Sequence, residues 1–237
     1  MQEVTKGMGS ISIEECQVDS AATLPIKKPR HYRLLILDLN GILISRRYEK
    51  DRDVKPPKGA YRQGSFFVWL RPGLDSFIKY IFENFDVAVW SSVMKHNIEP
   101  LAKEVFGKHY DELFFVADQD YCQKLDNPEI DPKTGKPSAK PIFRKNLDVV
   151  WLFPGVKGIY DVKNTLIVDD SDDKMINNPK ECHFNPGTWV PLEKEDLSME
   201  EFENERALLF GGRIRNRLEE YVAATTSHCQ KLQAANA

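Results

Sequence analysis

The sequence predicts a doubly wound α/β fold, in which helices cover both faces of a mostly parallel sheet. Two observations lead to this prediction. Short runs of consecutive apolar residues recur along the chain, and such runs are typical of strands that are buried on both faces. Stretches with apolar residues at helical spacing lie between these runs, and strands that alternate with helices form parallel sheets through right-handed crossovers.

The individual elements follow from the same two patterns. The first run, RLLILDL at 33–39, is continuously apolar and ends in an acid, as expected of a central strand. Strands are predicted at 33–39, 66–70, 86–90, 113–116 and 165–168. Helices are predicted after Arg71-Pro72-Gly73, over 96–107, around residues 147–151, and in a last segment that ends at about residue 224.

The remaining segments are polar and set the predicted domain boundaries. Residues 45–65 are charged and contain proline and glycine, which indicates a loop or small flap. Residues 118–144 contain four prolines and a Lys-Thr-Gly-Lys turn, so we expect an insertion outside the sheet. The predicted organisation is a flexible tail over 1–29, one domain over 30–225 and a C-terminal tail over 226–237.

Composition excludes several classes of function. The net charge is −3, and a near-neutral balance argues against general nucleic-acid binding. No stretch approaches the ~18 apolar residues of a membrane span. None of the four cysteines lies in a C-x-x-C pair, which favours free thiols in a reducing compartment. The first 20 residues lack the apolar core of a secretory signal, so we expect a nuclear or cytoplasmic protein.

A basic run, Lys27-Lys28-Pro29-Arg30, precedes the first predicted strand. It is compatible with a nuclear import signal. It is equally compatible with a solvated segment that leads into the strand, and the sequence leaves both interpretations open.

Chemically reactive groups follow three of the predicted strands. Because the carboxyl ends of parallel strands meet at one edge of the sheet, we expect these side chains to lie close together. They are Asp38 and Asn40 after the first strand, Ser91 and Ser92 after the third, and Asp169 and Asp170 after the last, with Lys145 in the segment before that last strand. Each group alone is common in a turn or helix cap. Together they form a coherent set for phosphoryl transfer, in which a carboxylate attacks phosphorus, a hydroxyl and a lysine hold phosphate oxygens, and acids hold Mg²⁺.

These residues stand in motifs that resemble the haloacid-dehalogenase superfamily. More closely, the sequence resembles the branch that contains the RNA polymerase II C-terminal-domain phosphatases and their small relatives. The matching segments are LILDLNGIL around Asp38, LRPG at 70–73, VWSS at 89–92, Lys145-Asn146-Leu147, VDDSD at 168–172 and NNP at 177–179. The resemblance covers about residues 33–222, and the DLNG, DQDYC and RNRLEEY segments look most like plant-type members of the branch.

The resemblance implies a role for each matching residue. Asp38 would be the nucleophile that becomes phospho-aspartate, and Lys145 would neutralise the transferring phosphoryl group. Ser91 or Ser92 would bond a phosphate oxygen, and Ser91 is preferred. Magnesium would be held by Asp170, by Asp169 as ligand or supporting group, by Asp38 and by the backbone carbonyl of Asn40.

Three positions depart from the pattern of the branch. Its second aspartate, the general acid and base, is Asn40 here, and an amide has no proton that titrates in a useful range. General acid–base catalysis contributes about 10²–10⁴-fold, so we expect slow turnover with metal binding intact. Ile42 replaces the usual threonine or valine, and Asp172 replaces the usual proline and adds a negative charge near the metal.

Three functions remain open from the sequence. The first is a Mg²⁺-dependent phosphoric monoester hydrolase, similar to the Ser/Thr phosphoprotein phosphatases, that acts weakly on a phosphoprotein, a phosphopeptide or a small phosphoester. The second is an inactive domain of the same fold that binds a protein or serves as a scaffold. The third is another transferase or a dehalogenase, since some members of the superfamily tolerate other residues at the position of Asn40. The insertion at 118–144 would contact a peptide, although packing of the insertion against the sheet is the favoured explanation for its Tyr121 and Phe143.

Overall fold

The computed structural model describes residues 24–50, 59–126, 141–192 and 198–236. Its strands are β1 (Leu34–Leu37), β2 (Ile44–Tyr48), β3 (Tyr61–Gln63), β4 (Phe66–Leu70), β5 (Asp86–Trp90), β6 (Val116–Ala117), β7 (Gln123–Leu125), β8 (Ile142–Arg144), β9 (Thr165–Val168) and β10 (His183–Phe184). Its α-helices are α1 (Leu74–Asn84), α2 (Lys95–Phe106), α3 (Leu147–Trp151), α4 (Asp172–Met175), α5 (Met199–Glu205) and α6 (Arg213–Ala235).

The central sheet has five strands in the order β10-β9-β1-β5-β6. Every neighbouring pair in it is parallel. The chain moves outward from β1 to β5 and β6, and then returns to the other side of β1 to form β9 and β10. The prediction of a doubly wound, mostly parallel sheet is confirmed, and its switch point lies beside β1.

The continuous apolar run of β1 is explained by its two buried faces. Leu35 and Leu37 join a cluster with apolar residues of α1, α2 and α6. Leu34 and Ile36 join a second cluster with apolar residues of α3 and α4. All four side chains are fully buried, so neither face of this strand has room for a polar residue.

The strand at 66–70 forms, but it does not belong to the central sheet. As β4 it pairs antiparallel with β2 and β3 in a separate three-stranded sheet, which we call the flap. The expectation of a flap over 45–65 therefore extends to β4. An apolar run predicts a strand, but the choice of sheet depends on partners that the run does not specify.

The last helix is longer than predicted. It ends at Ala235, so residues 226–235, which we expected in a tail, are helical. Thr225 and Cys229 are buried, and Arg33 Nε donates a hydrogen bond of 2.6 Å to Thr225 Oγ1. These contacts join α6 to the start of β1. They were not predicted, because the small polar residues in this part of α6 form no apolar stripe in the sequence.

The edges of other predicted segments also shift. Of the predicted N-terminal tail, residues 1–23 lie outside the described residues, whereas Leu24 and Ile26 pack against the second cluster. The strand predicted at 113–116 begins only at Val116, although Phe114 N already donates a 2.6 Å hydrogen bond to Val87 O of β5. In the insertion, β7 and β8 pair antiparallel at its base, and residues 127–140 lie outside the described residues.

Candidate active site

The ends of β1, β5 and β9 place the predicted residues at one edge of the sheet. Leu37 pairs with Val89 of β5 on one side and with Val168 of β9 on the other. Asp38 and Asp169 come directly after these paired positions, and Ser91 comes two residues after Val89, so all three emerge at the same edge of the sheet. In this way the register of the sheet brings Asp38, Ser91 and Asp169 together although they are far apart in the chain.

Three carboxylates converge at this edge. Asp38, Asp169 and Asp170 each offer one oxygen, and these oxygens lie within 4.8 Å of one another. Asp38 and Asp169 are buried, whereas Asp170 is partly exposed and accepts a 2.9 Å hydrogen bond from Thr188 Oγ1. Burial, together with the charge of Asp38, raises the pKa of the Asp170 carboxyl above its ordinary value, and Lys174 only partly opposes this.

Two of these carboxylates, Asp38 and Asp169, are paired with a fully buried lysine. Lys145 Nζ forms an ion pair with Asp169 and lies 3.3 Å from Asp38 Oδ1. The backbone of Lys145 is fixed on both sides, since its N–H donates to Lys174 O at 2.7 Å and its carbonyl accepts from Asn178 Nδ2 at 2.8 Å. Asn178 also accepts a hydrogen bond from Leu147 N at 2.9 Å, so the asparagine of the NNP motif positions the lysine.

A second lysine, Lys174, was not identified from the sequence. Its Nζ lies 3.4 Å from Asp38 Oδ2, 3.3 Å from Asp169 Oδ1 and 3.7 Å from Asp170 Oδ1. The only signal for it in the sequence is its position four residues after Asp170, a spacing at which side chains meet where the backbone turns into a helix. Burial lowers the pKa of Lys174, but the three carboxylates outweigh it and hold that pKa above its ordinary value.

The charge of Asp38 is stabilised by these neighbours. Burial alone would raise the pKa of its carboxyl, but Lys145, Lys174 and the Ser91 hydroxyl hold the pKa below its ordinary value. These neighbours therefore favour the charged form of Asp38. Ser92 is half-buried and forms no hydrogen bond with the three carboxylates in the described part of the chain.

Asn40 and Gly41 form the turn between β1 and the flap. Asn40 Oδ1 accepts a 2.7 Å hydrogen bond from Arg46 N, so its side chain closes this turn. Gly41 has φ of 81°, in the left-handed region, and a Cβ at this position would lie 2.0 Å from Asp170 Oδ2. Only glycine lets the backbone pass this close to the carboxylate cluster.

The donor set fits a magnesium ion. Mg²⁺ prefers hard oxygen ligands, and three carboxylate oxygens converge within the distance given above. Asp38 Oδ1 is buried and, among the described residues, accepts no hydrogen bond with good geometry. A buried oxygen in this situation is suited to bind a cation or to attack an electrophile.

The fold is thus a mostly parallel α/β sheet whose switch point carries three carboxylates and two lysines. The sequence model of the family described as NLI interacting factor-like phosphatase matches residues 33–204 of this chain. The chain belongs to this family of phosphatase domains. The family resemblance inferred from the motifs is therefore confirmed.

Two kinds of relatives were found. An uncharacterised FCP1 homology domain-containing protein of Schizosaccharomyces pombe is 33% identical over 152 residues, which cover 62% of this chain and 57% of that protein. The chain thus matches little more than half the length of this relative. Among solved structures, Fcp1, an essential RNA polymerase II CTD phosphatase, aligns with a TM-score of 0.44 and 18% identity over 79% of this chain and 52% of that chain. Fission yeast Fcp1-R271A bound to beryllium fluoride aligns with a TM-score of 0.42 and 17% identity over 85% and 62% of the two chains.

No helix in the described part of the chain is long and apolar enough to cross a membrane.

Proposed function

We propose that this chain is a Mg²⁺-dependent phosphatase domain that acts through a phospho-aspartate on Asp38, with slow turnover. One observation supports this most strongly: the buried Asp38 carboxylate lies between two lysines and beside two further carboxylates. This arrangement keeps the nucleophile ionised and gathers cations where a phosphoryl group would arrive.

Each side chain has a definite task in this proposal. Asp38 attacks phosphorus, so that a bond forms between its oxygen and phosphorus while the bond from phosphorus to the leaving oxygen breaks. Lys145 balances charge on the phosphoryl oxygens, and Ser91 and Ser92 donate hydrogen bonds to them. Asp38, Asp169, Asp170 and the carbonyl of Asn40 would hold the metal, which supplies positive charge that offsets repulsion between carboxylate and phosphate.

Asn40 is the reason for the slow turnover. The leaving oxygen needs a proton, and the water that hydrolyses the phospho-aspartate must lose one. The amide of Asn40 supplies neither function, and its oxygen is already bonded to Arg46 N. Both steps then depend on solvent protons.

The hydrogen bond of Asn40 also supports a second function. If residue 40 serves only to close the turn, the domain is an inactive member of the family that binds a protein partner. The insertion at 118–144 is then the contact surface that we propose. In the described part of that insertion, Tyr121 packs edge-on against Phe153 with ring centroids 5.9 Å apart, which supports the packing explanation for this residue.

The partner that we propose in either case is a phosphoprotein or phosphopeptide, in the nucleus or cytoplasm. We propose neither a membrane nor a nucleic-acid partner, since the net charge of −3 gives no general basic surface. The family's description as phosphatases supports a phosphorylated substrate.

The metal site is tested by calorimetric titration with MgCl₂. We expect native protein to bind Mg²⁺ and the Asp170→Ala variant to bind it more weakly, because one of three carboxylate ligands is lost. Asp173→Ala is the matched control, since it removes an exposed carboxylate from the start of α4. Equal affinity in native protein and the Asp170 variant would contradict the proposed ligand set.

Catalysis is tested separately with an aryl phosphate and saturating Mg²⁺. We expect slow hydrolysis that depends on Asp38. If hydrolysis is absent while beryllium fluoride and Mg²⁺ still raise the melting temperature, the binding function becomes the better explanation.

A further inference from the structure

Lys174 contacts every acidic group of the site, yet none of the roles proposed above uses it. Its Nζ lies within 3.3–3.7 Å of one oxygen on each of Asp38, Asp169 and Asp170. These are the same three carboxylates that offer their oxygens for a metal. A single ammonium group therefore occupies the side of the cluster that a bound cation would need.

The net charge of the site favours either the ammonium of Lys174 or a Mg²⁺ ion at the carboxylates, but not both together. Three carboxylates and two lysines leave one net negative charge in the site. A Mg²⁺ ion added beside both lysines would reverse this to a net positive charge within a few ångströms, where like charges repel strongly. If Mg²⁺ replaces the ammonium of Lys174, the carboxylates, Lys145 and the metal balance.

The side chains of Lys145 and Lys174 differ in how readily they can move away from the carboxylates. The Lys145 side chain is fully buried, and Asn178 fixes its backbone. The Lys174 side chain is 23% exposed and projects from α4, a helix of four residues. From such a position, a lysine ammonium on its flexible stem can reach solvent once its ion pairs are broken.

We infer that Lys174 is a built-in counter-ion that fills the carboxylate cluster until Mg²⁺ displaces it. It stabilises the cluster before metal binds, and it weakens the affinity for Mg²⁺ because each binding event must break its three ion pairs. The inference rests on the proposed function only in taking Mg²⁺ as the ion that binds.

Calorimetric titration of Lys174→Met with MgCl₂ tests the inference directly. Methionine keeps the length of the side chain and removes its charge. We expect the variant to bind Mg²⁺ at least about tenfold more tightly than native protein, since the competing charge is gone. We expect Lys174→Arg to keep the weak native affinity, and Lys157→Met, which changes an exposed lysine after α3, to match native protein.

Melting in EDTA gives the second measurement. Without the counter-ion, the carboxylates repel one another, so Lys174→Met should melt at a lower temperature than native protein and regain more of this loss when Mg²⁺ is added. Equal or weaker Mg²⁺ affinity in Lys174→Met would overturn the inference and leave the proposed function intact. No Mg²⁺ binding to native protein or to either Lys174 variant would overturn both.

If Lys174→Met does not fold, an NMR measurement on native protein tests whether Mg²⁺ displaces Lys174. Lysine labelled with ¹³C at Cε gives a resonance for Lys174, which is assigned by its absence from Lys174→Arg. Addition of MgCl₂ should shift this resonance toward that of an exposed lysine. A resonance that stays in place while Mg²⁺ binds would show that Lys174 is not displaced.

Discussion

Two adjoining regions of the site are held together in different ways. We call Asp38, Ser91, Lys145 and Asp169 the cradle; all four are buried, and their charged groups pair with one another. The residue-40 turn, residues 39–46, is held by backbone hydrogen bonds, by a 2.7 Å hydrogen bond from Arg71 Nη1 to Ile42 O, and by the bond from Arg46 N to Asn40 Oδ1. A change of charge in the cradle leaves a buried ion without a partner, whereas asparagine can accept the same bond in the turn that an aspartate would accept. This difference explains how the position that we propose for an acid and base can hold asparagine while the cradle remains complete.

Asp38→Asn should have the largest effect. An amide cannot attack phosphorus, so hydrolysis of an aryl phosphate should fall to background. Beryllium fluoride with Mg²⁺ should raise the melting temperature of native protein and not that of the variant, because it mimics a phosphoryl group on Asp38. Asp173→Asn, an exposed carboxylate on α4, should behave as native. A shift of the same size in the Asp38 variant would show that the cradle is not the binding site.

Lys145→Met should lower the free energy of unfolding by about 3–5 kcal/mol, because it leaves Asp169 buried without its main ion-pair partner. Urea denaturation in EDTA measures the change, with Lys157→Met as the exposed control. A loss as small as that of a surface substitution would remove the contrast between the cradle and the turn.

Asn40→Asp should raise hydrolysis by about 10²-fold or more, since it restores a general acid and base to an otherwise complete site. Saturating Mg²⁺ is needed, because the neighbouring carboxylates would otherwise raise the pKa of the new acid. The gain should disappear when Asp38→Asn is added, because a base assists only a nucleophile that is present. If the single variant stays as inactive as native protein, the binding function is favoured.

Asn40→Ala should have the smallest effect, a loss of about 1 kcal/mol in the free energy of unfolding. It removes the acceptor for Arg46 N, whereas Asn40→Asp keeps an acceptor and should be nearly neutral with Mg²⁺ present. Urea denaturation of both variants measures the difference. Equal losses would mean that this hydrogen bond does not hold the turn.

The fold class and most of the cradle could be predicted from the order of amino acids alone. Continuous apolar runs specify strands buried on both faces, and the residue after such a strand lies at the carboxyl edge of the sheet by geometry alone. Asp38, Ser91 and Asp169 could therefore be placed together without coordinates. Gly41 is visible in the sequence, but the reason for a glycine at this position is not. A Cβ built there would lie 2.0 Å from Asp170 Oδ2.

The partners of the remaining elements could not be predicted in this way, because they depend on contacts between distant parts of the chain. Residues 66–70 read as a strand, but their place in the flap depends on pairing with β2 and β3. Residues 226–235 are helical because the end of α6 packs on the chain around Arg33, 192 residues earlier than Thr225. Lys174 meets Asp38 across 136 residues of sequence. Local patterns encode which backbone a segment prefers, while contacts over such separations depend on how the whole sheet closes, so the counter-ion of the site was visible only in three dimensions.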